Sequence, residues 1–159
     1  YIPQLDNFLY WCQQLIAESL GKKGKGFLPI ISPAPKDHHS LLQLYLDGPK
    51  DKIFYVFSLD KKTKEKIFLK YLDNKSKFLN KKSLYEIKNA QKNAFLKVLI
   101  KKNIPFREFK IKGLNEEILG ELFSYFILET AIVGKLVNIN PYDQPAVEQV
   151  KVFTKKLLS

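Results

Sequence analysis

The chain has 159 residues, the size of one ordinary domain, and 27 Lys plus Arg against 16 Asp plus Glu give it a net charge of +11. An apolar fraction of 45%, with 12 Phe and 8 Tyr, excludes a disordered tail and a low-complexity polymer. The single cysteine, Cys12, excludes an internal disulfide framework and a cysteine-built zinc site. No uncharged apolar run approaches the roughly 18 residues of a membrane span. No charged-then-apolar leader opens the sequence, so the expected compartment is the cytoplasm.

Every basic residue except Arg107 is a lysine. Proteins that read nucleic-acid sequence lean on the bidentate fork of Arg. Here the lysines alternate with apolar residues, as in KEKIFLKYL, and read as solvated faces of helices and strands. Neither a nucleic-acid nor a membrane partner is expected. The chain holds no Met and opens at Tyr1 inside what reads as a running segment. Further sequence upstream is therefore expected, with residues 1–159 forming one domain at the C-terminal end of a longer enzyme.

In chain order, apolar residues at Leu5, Phe8, Leu9, Cys12, Leu15, Ile16 and Leu20 predict a helix over 5–20. Asp6 or Asn7 is its expected cap and Gly21 its stop. After a lysine hinge at 22–25, Phe27–Ser32 is expected as a short buried strand closed by Pro33 and Pro35. A helix follows from about Asp37 to Asp47, ended by Gly48-Pro49. Ile53–Ser58 is the clearest strand. Residues 59–80 read as a loop with a short element. A helix over 82–102, a strand over Phe106–Ile111, a long buried helix over 115–137 and a last helix from Pro145 to Leu158 complete the chain. The last helix has an expected buried stripe of Val147, Val150 and Phe153, with Asp143 as a cap. Alternation of this kind predicts an α/β domain, a mostly parallel sheet flanked by helices. No nucleotide-cradling glycine loop is present.

Three stretches could carry chemistry. In QQLIAES, Gln14 and Glu18 are four apart and share a helix face, with Glu18 in the last turn near the negative end of the helix dipole. In KDHHSLLQ, Asp37, His38 and His39 open a helix, where the dipole disfavours a charged imidazole. In NPYDQPAVEQVK, Gln144 and Lys151 lie two turns apart on one face. Each pattern alone is also compatible with a surface glutamate, a capping aspartate and a solvated lysine.

Together the three stretches resemble glucose-6-phosphate isomerases. The family's C-terminal signature, approximately N-P-(F/Y)-D-Q-x-G-V-E-x-x-K, is met at Asn140, Pro141, Tyr142, Asp143, Gln144, Val147, Glu148 and Lys151, with Ala146 where the family usually has Gly. QLIAESLGKKGKG is similar to the family's catalytic glutamate segment, and DHHSLLQLYLDG to its histidine segment, with Gln43 four residues after His39. The resemblance implies a three-layer sugar isomerase (SIS) fold and an aldose–ketose isomerase that interconverts glucose 6-phosphate and fructose 6-phosphate without metal or cofactor. It implies Glu18 as the base, His39 and Lys151 in ring opening, and Gln14 and Gln144 on substrate. It also implies a homodimer in which His39 crosses the interface. The family's phosphate loop has no counterpart in these residues, so the isolated piece is expected to be inactive. A dual phosphoglucose/phosphomannose isomerase and a non-catalytic sugar-phosphate binder are the alternatives.

Overall fold

A computed structural model of the chain describes residues 1–60, 65–67 and 75–159. Its elements, in order, are α1 (Asp6–Leu20), α2 (Leu42–Asp47), β1 (Phe54–Leu59), α3 (Leu84–Lys101), β2 (Phe106–Ile111), α4 (Glu116–Leu136) and α5 (Pro145–Leu158). They fall into two compact units, Tyr1–Gln4 with Ser32–Asn115, and Leu5–Ile31 with Glu116–Ser159.

In the first unit, β1 and β2 pair in parallel, with Phe54 opposite Phe106 and Ile111 opposite Leu59. The α/β class and the parallel pairing are as the sequence predicts. A parallel pair needs a crossover, and α3 supplies it. Ser83 starts α3 with a reciprocal cap: its hydroxyl accepts from Glu86 N, and its own N–H donates to the Glu86 carboxylate at 2.7 Å. Asn103 ends it in the left-handed region (φ 54°), and Ile104 N–H returns to Leu99 O at 2.9 Å. Leu96 and Leu99 of α3 bury against Val56, with Phe54, Phe95, Ile104 and Phe106 around them. The Phe57 and Phe109 rings stack at 4.7 Å.

A charged group is buried in this packing. Lys92 of α3 is buried and donates to the Glu108 carboxylate of β2 and, at 3.5 Å, to Ser58 of β1. Three elements thus meet on one ammonium.

In the second unit, α1 and α4 pack through aromatic rings. Phe8 meets Phe123 at 5.3 Å and Phe126 at 5.7 Å, both edge to face, and Trp11 meets Phe123 at 4.5 Å. Such pairs each add about 1 kcal/mol beyond area burial. Leu5, Cys12, Leu20, Leu122, Thr130 and Ile139 are buried in the same unit. The α4 helix ends as α3 does, with Asn138 left-handed (φ 58°) and Ile139 N–H bonded to Gly134 O at 2.8 Å. A side chain at Gly134 would stand 3.3 Å from Ile139 O and from Pro141 Cβ, so glycine lets this turn close over the helix.

Several expectations are corrected. Phe27–Ser32 is not a strand: nothing among the described residues pairs with it as one, and Phe27, Leu28 and Ile30 are exposed. The helix expected over 37–47 is a single 3₁₀ turn at Lys36–His38 followed by the shorter α2. Neither Asp6 nor Asn7 caps α1, because Leu5 occupies that position and makes no side-chain bond. α4 is not buried all round. Leu122, Phe126, Thr130 and Gly134 face inward, whereas Leu128, Ile132 and Leu136 are exposed, since α1 is the helix that packs on it. The α5 stripe of Val147, Val150 and Phe153 is exposed and α5 buries no residue. Of the loop expected over 59–80, residues 61–64 and 68–74 lie outside the described residues. The rest contains a 3₁₀ turn at Lys77–Leu79 and a bridge between Lys66 and Ser83.

Removing one partner of a buried ion pair strands the other charge. Lys92→Ala should lower unfolding free energy by about 3 kcal/mol in urea titrations, whereas the double replacement Lys92→Met with Glu108→Leu should lie much nearer wild type.

Candidate active site

Glu18 lies in the last turn of α1, exposed, on the face away from Phe8 and Cys12. Gln14, one turn earlier, donates its amide N–H to Glu18 Oε1 at 3.2 Å. The second oxygen, Oε2, accepts from Gln144 Nε2 at 2.9 Å, across 126 positions of sequence. Both carboxylate oxygens are therefore addressed, one by a neighbour on the same helix and one by a residue that only folding brings near. Each glutamine keeps a second amide N–H and a carbonyl oxygen for another group.

Two lysines of the hinge bring Gln144 there. Lys22 Nζ donates to Asn140 O at 2.6 Å and pairs with Asp143 at 2.9 Å, and Lys25 Nζ donates to Val137 O at 2.8 Å. The Asn140 side chain accepts from Tyr142 N–H at 3.1 Å and tightens the same turn. The segment after α4 is thus clamped to the segment after α1. Gln144 occupies the N-cap of α5, followed by Pro145. Its side chain makes no cap bond; it is turned to Glu18 instead. Asp143, the expected cap, is engaged by Lys22, whose hydrogen bond and charge hold the Asp143 carboxyl below the ordinary aspartate value.

Lys151 lies on an exposed face of α5, where its ammonium donates to Glu148 at 2.6 Å. His39 belongs to the other compact unit. It closes the Lys36–His38 turn, is exposed, and makes no side-chain hydrogen bond among the described residues. Its neighbour His38 is half-buried, with Nε2 2.7 Å from the Tyr1 hydroxyl. The His38 pKa is lowered chiefly by burial, with the charge of His39 adding to the effect and Asp37 opposing it. The sequence points to a helix dipole as the cause, but the turn is too short to supply one. The structure therefore brings Glu18, Gln14 and Gln144 into one bonded set. Lys22 and Lys25 read as a solvated hinge in the sequence; their one signal is position, directly after the glutamate helix. Among the described residues, no group of three or more His, Cys, Asp or Glu could hold a metal ion. No helix among them is long and apolar enough to cross a membrane.

No family model matches the chain. Curated proteins do. It is 37% identical over 99% of its length to the glucose-6-phosphate isomerase of Methanocaldococcus jannaschii, of which it covers 39%. It is 38% identical over its whole length to a probable glucose-6-phosphate isomerase of Methanococcus maripaludis, covering 36%. It is 37% identical to the glucose-6-phosphate isomerase of Campylobacter jejuni, covering 40%. A solved structure of a hypothetical protein from Thermus thermophilus superposes with a TM-score of 0.85 at 27% identity, over all of this chain and 40% of that one. The chain is thus a relative of the glucose-6-phosphate isomerases, as its three motifs imply, and spans about two fifths of the length of the curated relatives it matches. A fold shared with the Thermus protein over the whole of this chain agrees with the SIS-like α/β class.

The Lys22–Asp143 clamp has a pH signature. A depressed aspartate pKa contributes stability above the unfolded value, near 3.8, and loses it as pH falls through the lower folded value. The Asp143 carboxyl followed by NMR should titrate below 3.8 in wild type and return toward 3.8 in Lys22→Ala.

Proposed function

We propose that this chain is the base-bearing portion of a glucose-6-phosphate isomerase. The observation that carries the reading is the Glu18 carboxylate hydrogen-bonded by Gln14 and Gln144, two residues from separate stretches of this chain that resemble the isomerase family. An aldose–ketose isomerase requires a carboxylate base, and Glu18 is a carboxylate oriented through both of its oxygens.

The chemistry follows from the residue types. In the open-chain aldose, Glu18 removes the proton from C2. The C–H electrons form the C1=C2 bond, the C1 carbonyl pair moves onto O1 to give a cis-enediolate, and a proton passes from the O2 hydroxyl to O1. The same carboxyl returns the proton to C1, giving fructose 6-phosphate. A single base on one face serves both transfers, so the step calls for neither a metal nor a redox cofactor. Two fixed amides hold the carboxylate plane. Their remaining donors and acceptors suit the sugar hydroxyls, where oriented dipoles stabilise developing oxyanion charge.

The resemblance assigns His39 and Lys151 to ring opening, exchanging protons with the ring oxygen and O1. The exposed His39 ring is compatible with service to a second subunit, and a homodimer belongs to the proposal. The phosphate grip is assigned to sequence outside these 159 residues, which is why the isolated chain should show little or no turnover. A cytoplasmic place in hexose phosphate metabolism follows from the same reading.

A coupled assay on the full-length polypeptide with fructose 6-phosphate tests it. Wild type should turn over, and Glu18→Gln should lose at least about two orders of magnitude in kcat, the scale of a lost general base. Gln144→Ala should fall by about tenfold with Glu18 still present, since a loosened carboxylate misses its geometry. Full activity in Glu18→Gln would overturn the assignment.

A further inference from the structure

Two adjacent histidines occupy the turn before α2, and their surroundings differ sharply. The turn is built from its own backbone: Asp37 N–H to Pro33 O at 3.0 Å, His38 N–H to Pro35 O at 3.1 Å, His39 N–H to Lys36 O at 3.1 Å and Leu41 N–H to Asp37 O at 2.9 Å. The Asp37 carboxylate braces it from inside, accepting from Ser32 Oγ at 2.9 Å and Ser40 Oγ at 3.2 Å. None of these bonds attaches the turn to the sheet or to α3.

His38 does. Its ring lies 5.4 Å from the Phe95 ring of α3 and edge-on to the Tyr1 ring at 5.7 Å, and Nε2 meets the Tyr1 hydroxyl at 2.7 Å. Phe95 in turn meets Phe54 of β1 at 5.6 Å, so the ring chain runs from the histidine turn into the core of the unit. Burial raises the Tyr1 pKa and lowers that of His38. Burial thus disfavours the charged form of each, and a phenol O–H donating to an unprotonated Nε2 is one arrangement that satisfies two neutral groups.

We propose that His38 is a positioning residue for His39. Its ring, held by Tyr1 and Phe95, fixes the turn on the first unit and leaves the neighbouring imidazole directed to solvent and available to substrate. The proposal rests on the isomerase reading for its kinetic consequence but not for its structural one. It divides the labour between the two histidines: one ring is taken up by anchoring, the other is kept free.

The test uses the full-length polypeptide with His38→Leu, His38→Gln and Tyr1→Phe, assayed with fructose 6-phosphate and examined by imidazole NMR. His38→Leu should lower kcat about tenfold, the effect of a sub-ångström to ångström displacement of a catalytic group, with KM within about twofold of wild type. His38→Gln keeps a polar partner for the phenol and should recover most of the loss. Tyr1→Phe removes one hydroxyl without a cavity and should act in the same direction, and combined with His38→Leu it should add nothing further. In NMR, Tyr1→Phe should move the His38 Nε2 resonance and, through the turn, the His39 ring signals. Unchanged kcat in His38→Leu, or a loss that His38→Gln does not relieve, would overturn the proposal. If wild type itself proves inert, the isomerase reading fails, and the NMR arm still decides: His39 signals indifferent to Tyr1→Phe would refute positioning.

Discussion

The candidate site depends on a single long-range hydrogen bond, from Gln144 Nε2 to Glu18 Oε2. The i, i+4 bond from Gln14 would exist in any helix of this sequence. The Gln144 bond exists only because the segment after α4 lies against the end of α1. The aromatic seam of Phe8, Trp11, Phe123 and Phe126 sets the two helices together. Gly134 lets the following turn close on α4, and Asn138 supplies its left-handed residue. Lys22 and Lys25 then tie that turn to the end of α1. Each step constrains the next, and the last delivers an amide to a carboxylate.

This order explains why lysines far from any expected catalytic role matter. Lys22 is largely buried at its side chain, 11% exposed, and directs its donors to a carbonyl and a carboxylate of one turn. In a chain where Arg107 is the one basic residue that is not lysine, most of that charge is solvated surface, and the net +11 says little about a partner. Informative among the lysines are Lys22 and Lys25, bonded to the turn after α4, and Lys92, buried against Glu108.

Much of the architecture was legible in the sequence, and the reasons are local. The span Phe106–Ile111 alternates and is bounded by turn residues, and β2 occupies it. Pro145 suits a first helical position, and α5 begins there. Phe27–Ser32 misled because a short apolar run becomes a strand only if a partner strand pairs with it, and periodicity carries no information about partners. The inward faces of α4 and α5 misled for the same reason, since burial depends on what packs against an apolar stripe. Of the site, the Gln14–Glu18 spacing was readable directly. The approach of Gln144 to Glu18 was not, because no spacing rule links residues 126 positions apart; the resemblance implied both at one substrate but not their hydrogen bond. The His38 anchor was not readable either, since Tyr1 and Phe95 reach it through the fold.

The central claim is that Glu18 moves a proton between two carbons of a sugar phosphate. The most direct measurement is isotope exchange in the full-length polypeptide: fructose 6-phosphate is incubated in D2O and the product carbons are read by NMR. A carboxyl base that shares its proton with solvent predicts deuterium at C2 of the glucose 6-phosphate formed, with exchange and conversion both lost in Glu18→Gln. Conversion or exchange that persists unchanged in Glu18→Gln would contradict the account.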